Sequence, residues 1–130
     1  MRILVIEDNR DIAANLGDYL EDRGHTIDFA ADGVTGLHLA VVNDFDAIVL
    51  DLNLPDMTGV DILEKVKTNV HTKRSPVVVL TTTDDEREIQ RCYDLGANVY
   101  ITKPVDYENF ANAIRQLGLF FSVIQVPETD

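Results

Sequence analysis

Acidic, hydroxyl and basic side chains stand directly after four short apolar runs in this chain of 130 residues. They belong to Glu7 and Asp8, to Asp51, to Thr81, and to Lys103 within the segment Thr102-Lys103-Pro104. Clustered carboxylates repel one another, and Mg²⁺ relieves this repulsion with a few carboxylate, water and phosphate oxygens as ligands. A lysine suits a phosphoryl oxygen, and an aspartate can itself act as a nucleophile and form an aspartyl phosphate. Polar residues commonly end strands, but the complementary types found here together indicate Mg²⁺-dependent phosphoryl transfer.

The apolar runs that precede these residues predict the strands of a parallel sheet. Three runs are continuous and rich in branched side chains, as strands buried on both faces are: Ile3–Ile6, Ala47–Leu50 and Val77–Leu80. Two further runs, Thr26–Ala30 and Val99–Ile101, alternate or are brief, which favours edge strands.

Amphipathic stretches between the runs predict five helices. Their apolar positions are Ile12, Leu16 and Leu20; Leu37 and Val41; Val60, Leu63 and Val66; Ile89, Cys92 and Tyr93; and Phe110, Ile114 and Leu117. Gly24 and Gly96 lie where helices should end, and Thr83–Glu86 has the pattern of a capping box. Gly33 and Gly36 are interpreted as packing at a helix start, and segment 68–75 as the connection into the fourth strand. Alternating strands and helices predict a doubly wound α/β fold, whose ligands bind at the carboxyl ends of the strands.

Composition and charge exclude several classes of protein. The chain has 23 acidic and 11 basic residues, a net charge of −12, which argues against binding to a nucleic-acid backbone. No apolar run approaches the ~20 residues of a membrane span, and the chain opens on a strand-like run rather than a signal peptide. Cys92, the single cysteine, cannot form an internal disulfide or a cysteine zinc site. We therefore expect one cytoplasmic domain over residues 1–130.

Four motifs, in order along the chain, resemble the receiver domain of two-component response regulators, the family that includes the chemotaxis protein CheY. They are Glu7-Asp8, D-L-N-L-P-D-M-T-G at 51–59, L-T-T at 80–82 and Y-I-T-K-P at 100–104. The resemblance covers essentially the whole chain. It implies a flavodoxin-like (CheY-like) five-stranded parallel sheet of order 2-1-3-4-5 with five helices, and a signalling phosphoacceptor rather than an enzyme.

The resemblance also implies a role for each matching residue at the strand ends. Asp51 is expected to accept the phosphoryl group from the phosphohistidine of a sensor histidine kinase, and Lys103 to contact that group. Asp8 and Asp51 resemble the carboxylate ligands of Mg²⁺, with Mn²⁺ as an alternative ion. The backbone carbonyl of Asn53 would be a third protein ligand, and Glu7 would act on the metal largely through water.

A second set of residues resembles the switch of the family. The Thr81 hydroxyl would be drawn toward the phosphoryl group, and the Tyr100 ring would turn inward behind it. This would change the surface of the fourth helix, fifth strand and fifth helix for partner binding or dimerisation. Pro104 follows Lys103 in a peptide bond that is usually cis in the family, and Asn53 and Thr83 flank the path by which water would attack.

Two other functions remain open at this point. An Asp-nucleophile phosphohydrolase usually has a second acid two residues after the nucleophile, where this chain has Asn53. A receiver used only for assembly would be expected to lack one of Asp8, Asp51, Thr81 or Lys103, and all four are present.

The two halves of the chain resemble different kinds of receiver. Residues 1 to about 65 are most similar to receivers of winged-helix transcription factors. The part from about Lys67 onward is more similar to stand-alone receivers paired with phytochrome-type kinases. A stand-alone receiver, a receiver excised from a longer regulator, and a hybrid joined near residues 65–75 all fit this pattern.

The C-terminal region, residues 118–130, is interpreted as an extension of the fifth helix. Between Leu117 and Val126 the chain has too many apolar residues for one helix stripe. Exposed apolar surface commonly marks an interface, so we expect a homodimer through the fifth helix and this tail. A tail that folds back onto the sheet is the alternative.

Overall fold

Strands and helices alternate along the chain. The structure, a computed structural model, describes residues 1–82, 85–103, 112 and 115. Its strands are β1 (Arg2–Ile6), β2 (Thr26–Ala30), β3 (Ala47–Asp51), β4 (Val77–Thr81) and β5 (Val99–Thr102). Its helices are α1 (Arg10–Asp22), α2 (Gly33–Val42), α3 (Gly59–Thr68) and α4 (Glu86–Asp94). Asn112 and Arg115 are helical, but the apolar positions predicted for a fifth helix and the extension 118–130 lie outside the described residues.

The five strands form one parallel sheet of order β2-β1-β3-β4-β5. This confirms the predicted doubly wound sheet of order 2-1-3-4-5, with β2 and β5 at its edges. Chain order reverses between β1 and β3, and a crevice at such a reversal is where ligands bind in sheets of this kind. The carboxyl ends of β1, β3, β4 and β5 lie along one rim of the sheet.

Two hydrophobic cores cover the two faces of the sheet. Alternate side chains of each strand point to opposite faces, so Leu4 and Leu50 enter one core while Val5 and Val49 enter the other. The first core is closed by α2, α3 and α4, and the second by Leu16 and Leu20 of α1 among others. Because both faces are covered, the central runs of β1, β3 and β4 are apolar, as the sequence predicts, and their polar residues stand at the strand ends.

Several helix predictions are confirmed and others are wrong. Gly24 and Gly96 adopt positive φ angles of 92° and 109° just after α1 and α4, as expected of residues that end a helix. The predicted capping box is two residues early. Helix α4 begins at Glu86, and the Asp85 side chain accepts the Arg87 N–H at 2.9 Å.

Two side chains predicted to face the core are instead exposed. Val41 is 47 % exposed and Tyr93 is 45 % exposed. Helix α2 packs on the sheet through small residues, because a Cβ added to Gly36 would lie 2.6 Å from Ile6 Cδ1. The interpretation of Gly36 as a packing residue is therefore confirmed.

None of the described helices has the length and apolar character needed to cross a membrane. The segment predicted as the connection into β4 does lead there. It is fastened by the Thr72 hydroxyl, which donates to the Val66 carbonyl at 2.6 Å, and by Lys67 Nζ, which donates to the Ser75 carbonyl at 2.8 Å.

Gly59, the first residue of α3, lies directly against the end of β3. Its N–H donates to the Leu52 carbonyl at 3.1 Å. A Cβ at this position would lie 2.3 Å from Leu52 Cα and 2.9 Å from the Asp51 carbonyl oxygen. These are backbone atoms that cannot rotate away, so a larger residue at position 59 would force the loop after β3 and the start of α3 apart.

We expect Gly59→Ala to lower the free energy of unfolding by about 1–3 kcal/mol, the usual cost of overpacking. Gly17→Ala in α1 is the matched control. Its Cβ would meet the ring of Phe29 at 2.4 Å, but that side chain is 46 % exposed and can turn outward. Since alanine also favours the helix, Gly17→Ala should remain within about 1 kcal/mol of wild type. Urea unfolding measures both variants, and equal losses would contradict this account.

Candidate functional site

The rim of the sheet gathers polar residues from four strands. Glu7 directly follows β1 and Asp51 is the last residue of β3. Thr81 ends β4, and Lys103 directly follows β5. The Lys103 N–H donates to the Thr81 carbonyl at 2.6 Å, which fixes the two strand ends to each other. Parallel strands in register thus bring together side chains that are almost a hundred positions apart in sequence.

Three carboxylates form the acidic part of the site. Glu7, Asp8 and Asp51 each offer one oxygen, and these oxygens lie within 4.8 Å of one another. Glu7 and Asp51 are 3 % and 1 % exposed, whereas Asp8 is exposed. Apart from the hydrogen bond that the two carboxyl groups share when Glu7 is protonated, the buried Glu7 Oε2 and Asp51 Oδ2 have no hydrogen-bond partner among the described residues. A buried all-oxygen set with unused lone pairs is a donor set that suits a hard divalent cation such as Mg²⁺ or Mn²⁺.

Lys103 lies between two of these carboxylates. Its Nζ is 2.5 Å from Glu7 Oε1 and 3.1 Å from Asp51 Oδ1. Asp51 Oδ1 also accepts the backbone N–H of Asn53 at 3.0 Å. The Asp51 carboxylate is therefore held through one oxygen, while Oδ2 has no such donor.

Glu7 and Asp51 share the same buried site and the same lysine, but their pKa values shift in opposite directions. Burial raises the pKa of Glu7 to about 8, with a further contribution from the hydrogen bond and charge of Asp51 that exceeds the opposing effect of Lys103. Burial alone would also raise the pKa of Asp51. The hydrogen bond from protonated Glu7, the Asn53 N–H and Lys103 outweigh that effect and lower the pKa of Asp51 below its usual value. Without a metal, the proton of the pair therefore favours Glu7 and the negative charge favours Asp51.

The Asn53 side chain connects the loop after β3 to the end of β4. Its amide nitrogen lies 3.5 Å from Thr81 Oγ1 and donates to Thr82 Oγ1 at 3.2 Å. Thr81 is fully buried and Thr82 is exposed. The sequence singled out Thr81 but assigned no role to Thr82, although it stands in the same L-T-T motif.

The two residues of the expected switch, Thr81 and Tyr100, lie on the neighbouring strands β4 and β5. Tyr100 on β5 is half-buried and packs against the core that contains Cys92 of α4. It pairs with Val79, two residues before Thr81. Pro104 and Thr83, to which the sequence also gave roles, lie outside the described residues.

Comparison with known proteins identifies the family of this chain. Residues 3–115 match the model of the response regulator receiver domain. The chain belongs to this family. The transcriptional regulatory protein HprR of Escherichia coli K12 is 37 % identical over 115 residues, which are 88 % of this chain and 50 % of HprR. The chain thus spans about half the length of the curated relatives it matches.

Solved receiver structures match over the full chain. A response regulator receiver domain from Rhodospirillum rubrum has 57 % identity and a TM-score of 0.90, covering 100 % of this chain and 99 % of that one. The phosphorylated cyanobacterial phytochrome response regulator RcpA has 29 % identity and a TM-score of 0.88, covering 98 % of each chain. The match to the Rhodospirillum rubrum receiver covers both halves of the chain, and whether the chain is a hybrid stays open. Receiver domains are signalling phosphoacceptors, not classical enzymes.

The pKa of Glu7 predicts how the stability of the metal-free receiver depends on pH. Between its usual value of 4.5 and about 8, the folded state keeps a proton on Glu7 that the unfolded state has released. The free energy of unfolding should therefore fall as pH rises through this window and level off above it. Glu7→Gln cannot lose a proton there, so it should remove the decline and be more stable than wild type at alkaline pH.

Urea unfolding in the presence of a chelator, from pH 5 to pH 9, measures this dependence. The exposed Glu64→Gln on α3 is the control and should keep the wild-type dependence. Parallel curves for wild type and Glu7→Gln would show that Glu7 does not hold the proton.

Proposed function

We propose that this receiver is a switch in which Asp51 accepts a phosphoryl group from a sensor histidine kinase. The observation that carries the proposal is the convergence on Asp51 of two further carboxylates and of Lys103. Transfer forms a bond between an Asp51 carboxylate oxygen and phosphorus while the bond from phosphorus to the imidazole nitrogen breaks. The other ring nitrogen carries a proton during the transfer, so the nitrogen that leaves phosphorus keeps the electron pair and the ring departs as neutral imidazole.

The residues around Asp51 would contact the phosphoryl group and hold the metal ion. The Lys103 ammonium, 3.1 Å from Asp51 Oδ1, is within reach of a phosphoryl group attached to Asp51. Asp8, Asp51 and the backbone carbonyl of Asn53 would hold Mg²⁺ or Mn²⁺, with Glu7 acting largely through water. The ion, when bound, supplies positive charge to the phosphoryl oxygens.

The same residues argue against the two alternative functions. A phosphohydrolase of the Asp-nucleophile type would need an acid near the leaving group, but the position two residues after Asp51 is an asparagine. An assembly-only receiver would not need a lysine and two buried carboxyl groups brought together at one rim of the sheet. The reaction of this protein with water is expected to be a slow loss of its own phosphoryl group.

Thr81 and Tyr100 are proposed to convert phosphorylation into a surface change. Thr81 is buried at the rim and Tyr100 is half-buried one strand away. A phosphoryl group shifts the balance between two conformations only through contacts that differ between them. The Thr81 hydroxyl would provide this contact, and the Tyr100 ring would carry it to the surface of α4 and β5.

The partners follow from the comparisons and the charge. The kinase is proposed to be a sensor histidine kinase, and the similarity to RcpA supports one of the phytochrome type. The net charge of −12 argues that the chain does not itself bind nucleic acid. A cytoplasmic location is proposed, because that is where receivers usually work.

We expect Asp51→Asn to abolish phosphorylation while the protein stays folded, because the amide is nearly isosteric with the carboxylate but cannot accept a phosphoryl group. The protein is incubated with Mg²⁺ and acetyl phosphate and its intact mass is measured. Wild type should gain a single phosphoryl adduct that is stable in acid and released by hydroxylamine. The control, Asp22→Asn at the exposed end of α1, should gain it at the wild-type rate.

Each other outcome points to a different function. Uptake by Asp51→Asn at the wild-type rate would show that another residue is the acceptor. No adduct on wild type would favour the assembly-only receiver, and rapid turnover of added phosphate esters would favour the hydrolase.

The C-terminal tail is proposed to form a homodimer whose assembly responds to phosphorylation. A chain that ends at Gly118 should sediment as a monomer at concentrations where the full chain is dimeric, since it lacks the apolar tail. Phosphorylation should shift the full chain further toward the dimer. Thr81→Ala separates the two steps, because it keeps Asp51 as acceptor but removes the hydroxyl, so it should take up phosphate without this shift.

Sedimentation of the three proteins with and without acetyl phosphate tests the scheme. If the full chain and the shortened chain are both monomeric, the tail does not mediate a dimer. If phosphorylated Thr81→Ala shifts as fully as wild type, Thr81 is not the switch residue.

A further inference from the structure

The loop between β3 and α3, residues 52–58, is fastened at its middle to another helix. Asp56 lies in this loop, and its Oδ1 accepts the Gly33 N–H at 2.8 Å. Its Oδ2 accepts the Val34 N–H at 3.0 Å. Gly33 and Val34 are the first two residues of α2. The loop that follows Asp51 therefore caps the N-terminus of a helix that begins more than twenty residues earlier in the chain.

Helix α2 already has a cap residue of the ordinary kind. Asp32, its N-cap, accepts the Thr35 N–H at 2.7 Å. Two carboxylates thus satisfy three successive N–H groups at one helix N-terminus, where negative charge is favoured. The hydrogen bonds from Gly33 and Val34 lower the pKa of Asp56 below its usual value. Asp56 therefore binds α2 as a full negative charge at neutral pH.

Tight packing surrounds these two hydrogen bonds. A Cβ added to Gly33 would lie 3.0 Å from Met57 Cβ and 2.8 Å from Ile62 Cδ1. Met57 follows Asp56 in the loop, and Ile62 is buried in α3. The start of α2, the loop and α3 are thus in contact at one point, and the loop has little room to move without α2.

Hydrogen bonds hold the loop at several places along its length. At its start the Asn53 N–H donates to Asp51 Oδ1 at 3.0 Å. At its end the Thr58 side chain accepts the Asp61 N–H at 3.2 Å. Asp56 supplies an attachment between them that reaches the start of α2. Other attachments to elements outside the loop and α3 go to the end of β4, from Leu52 and Asn53.

We infer that Asp56 is a positioning residue, which places the Asn53 backbone and the loop around Asp51 by tying them to the N-terminus of α2. The inference rests on the proposed function, since it assigns to Asp56 an effect on Mg²⁺ binding and phosphorylation at Asp51. The coupling is reciprocal by thermodynamic necessity. Occupation of the site must then hold the Asp56 hydrogen bonds to α2 more firmly.

The matched variants are Asp56→Ala and Asp32→Ala, because both remove a carboxylate from the same helix N-terminus but only Asp56 belongs to the acceptor loop. Calorimetric titration with Mg²⁺ should show about fivefold weaker binding for Asp56→Ala, with slower phosphorylation by acetyl phosphate. Asp32→Ala should match wild type in both. Asp56→Asn keeps one acceptor oxygen and should lie in between. Equal effects of the two alanine variants on both measurements would overturn the inference, since Asp56 would then act only on helix stability.

Amide hydrogen exchange gives a readout that does not depend on phosphoryl transfer. In metal-free protein, Asp56→Ala should speed exchange at Asn53 as well as at Gly33 and Val34, whereas Asp32→Ala should speed it mainly at Thr35. Unchanged exchange at Asn53 in Asp56→Ala would overturn the inference. If wild type binds no Mg²⁺ and takes up no phosphate, the proposed function fails, and the Asn53 exchange still decides whether Asp56 places the loop.

Discussion

Two buried carboxylates compete for one lysine, and the rest of the site depends on this competition. Glu7 and Asp51 both contact Lys103 Nζ, and with both acids ionised they would carry one negative charge more than the lysine balances. Burying unbalanced charge is costly. The excess has to be removed by a proton or met by a further cation, and the raised pKa of Glu7 shows the first solution. A bound metal ion would be the second solution. In the metal-free site, a proton on Glu7 neutralises the charge that a metal ion would otherwise balance.

Such an arrangement requires a scaffold that cannot relax. Side chains on flexible loops would move apart until water separated the charges. Here Glu7 and Asp51 are held by neighbouring central strands whose side chains are packed on both faces of the sheet. Lys103 is fixed through its own N–H to the end of β4. The packing of the apolar strands therefore keeps the carboxyl groups of Glu7 and Asp51 close together at the rim of the sheet.

Local patterns in the sequence predicted the sheet, its edges and the residues at its rim, because each of these features depends on neighbours along the chain. Continuous branched runs identify strands covered on both faces, and whatever follows such a run must lie at the rim. The fifth helix and the tail remain predictions. The hydrogen bonds of Asp56 to α2 could not be foreseen, since no local pattern links a loop aspartate to amides more than twenty residues earlier. Val41 was misplaced for a related reason: α2 is apolar on most sides, so periodicity does not indicate which side meets the sheet.

Helix α2 meets the sheet through its smallest residues, and this leaves its outer surface almost independent of the fold. Gly33, Gly36 and Ala40 are buried, while Val34, Val41 and Val42 are 63 %, 47 % and 59 % exposed. Substitutions among the exposed valines leave the contacts of the core as they are. Mutation can therefore alter this strip of apolar surface at little thermodynamic cost, whereas the three small residues beneath it tolerate almost no added volume. Packing therefore constrains the residue types on the inner face of α2 much more tightly than those on its outer face.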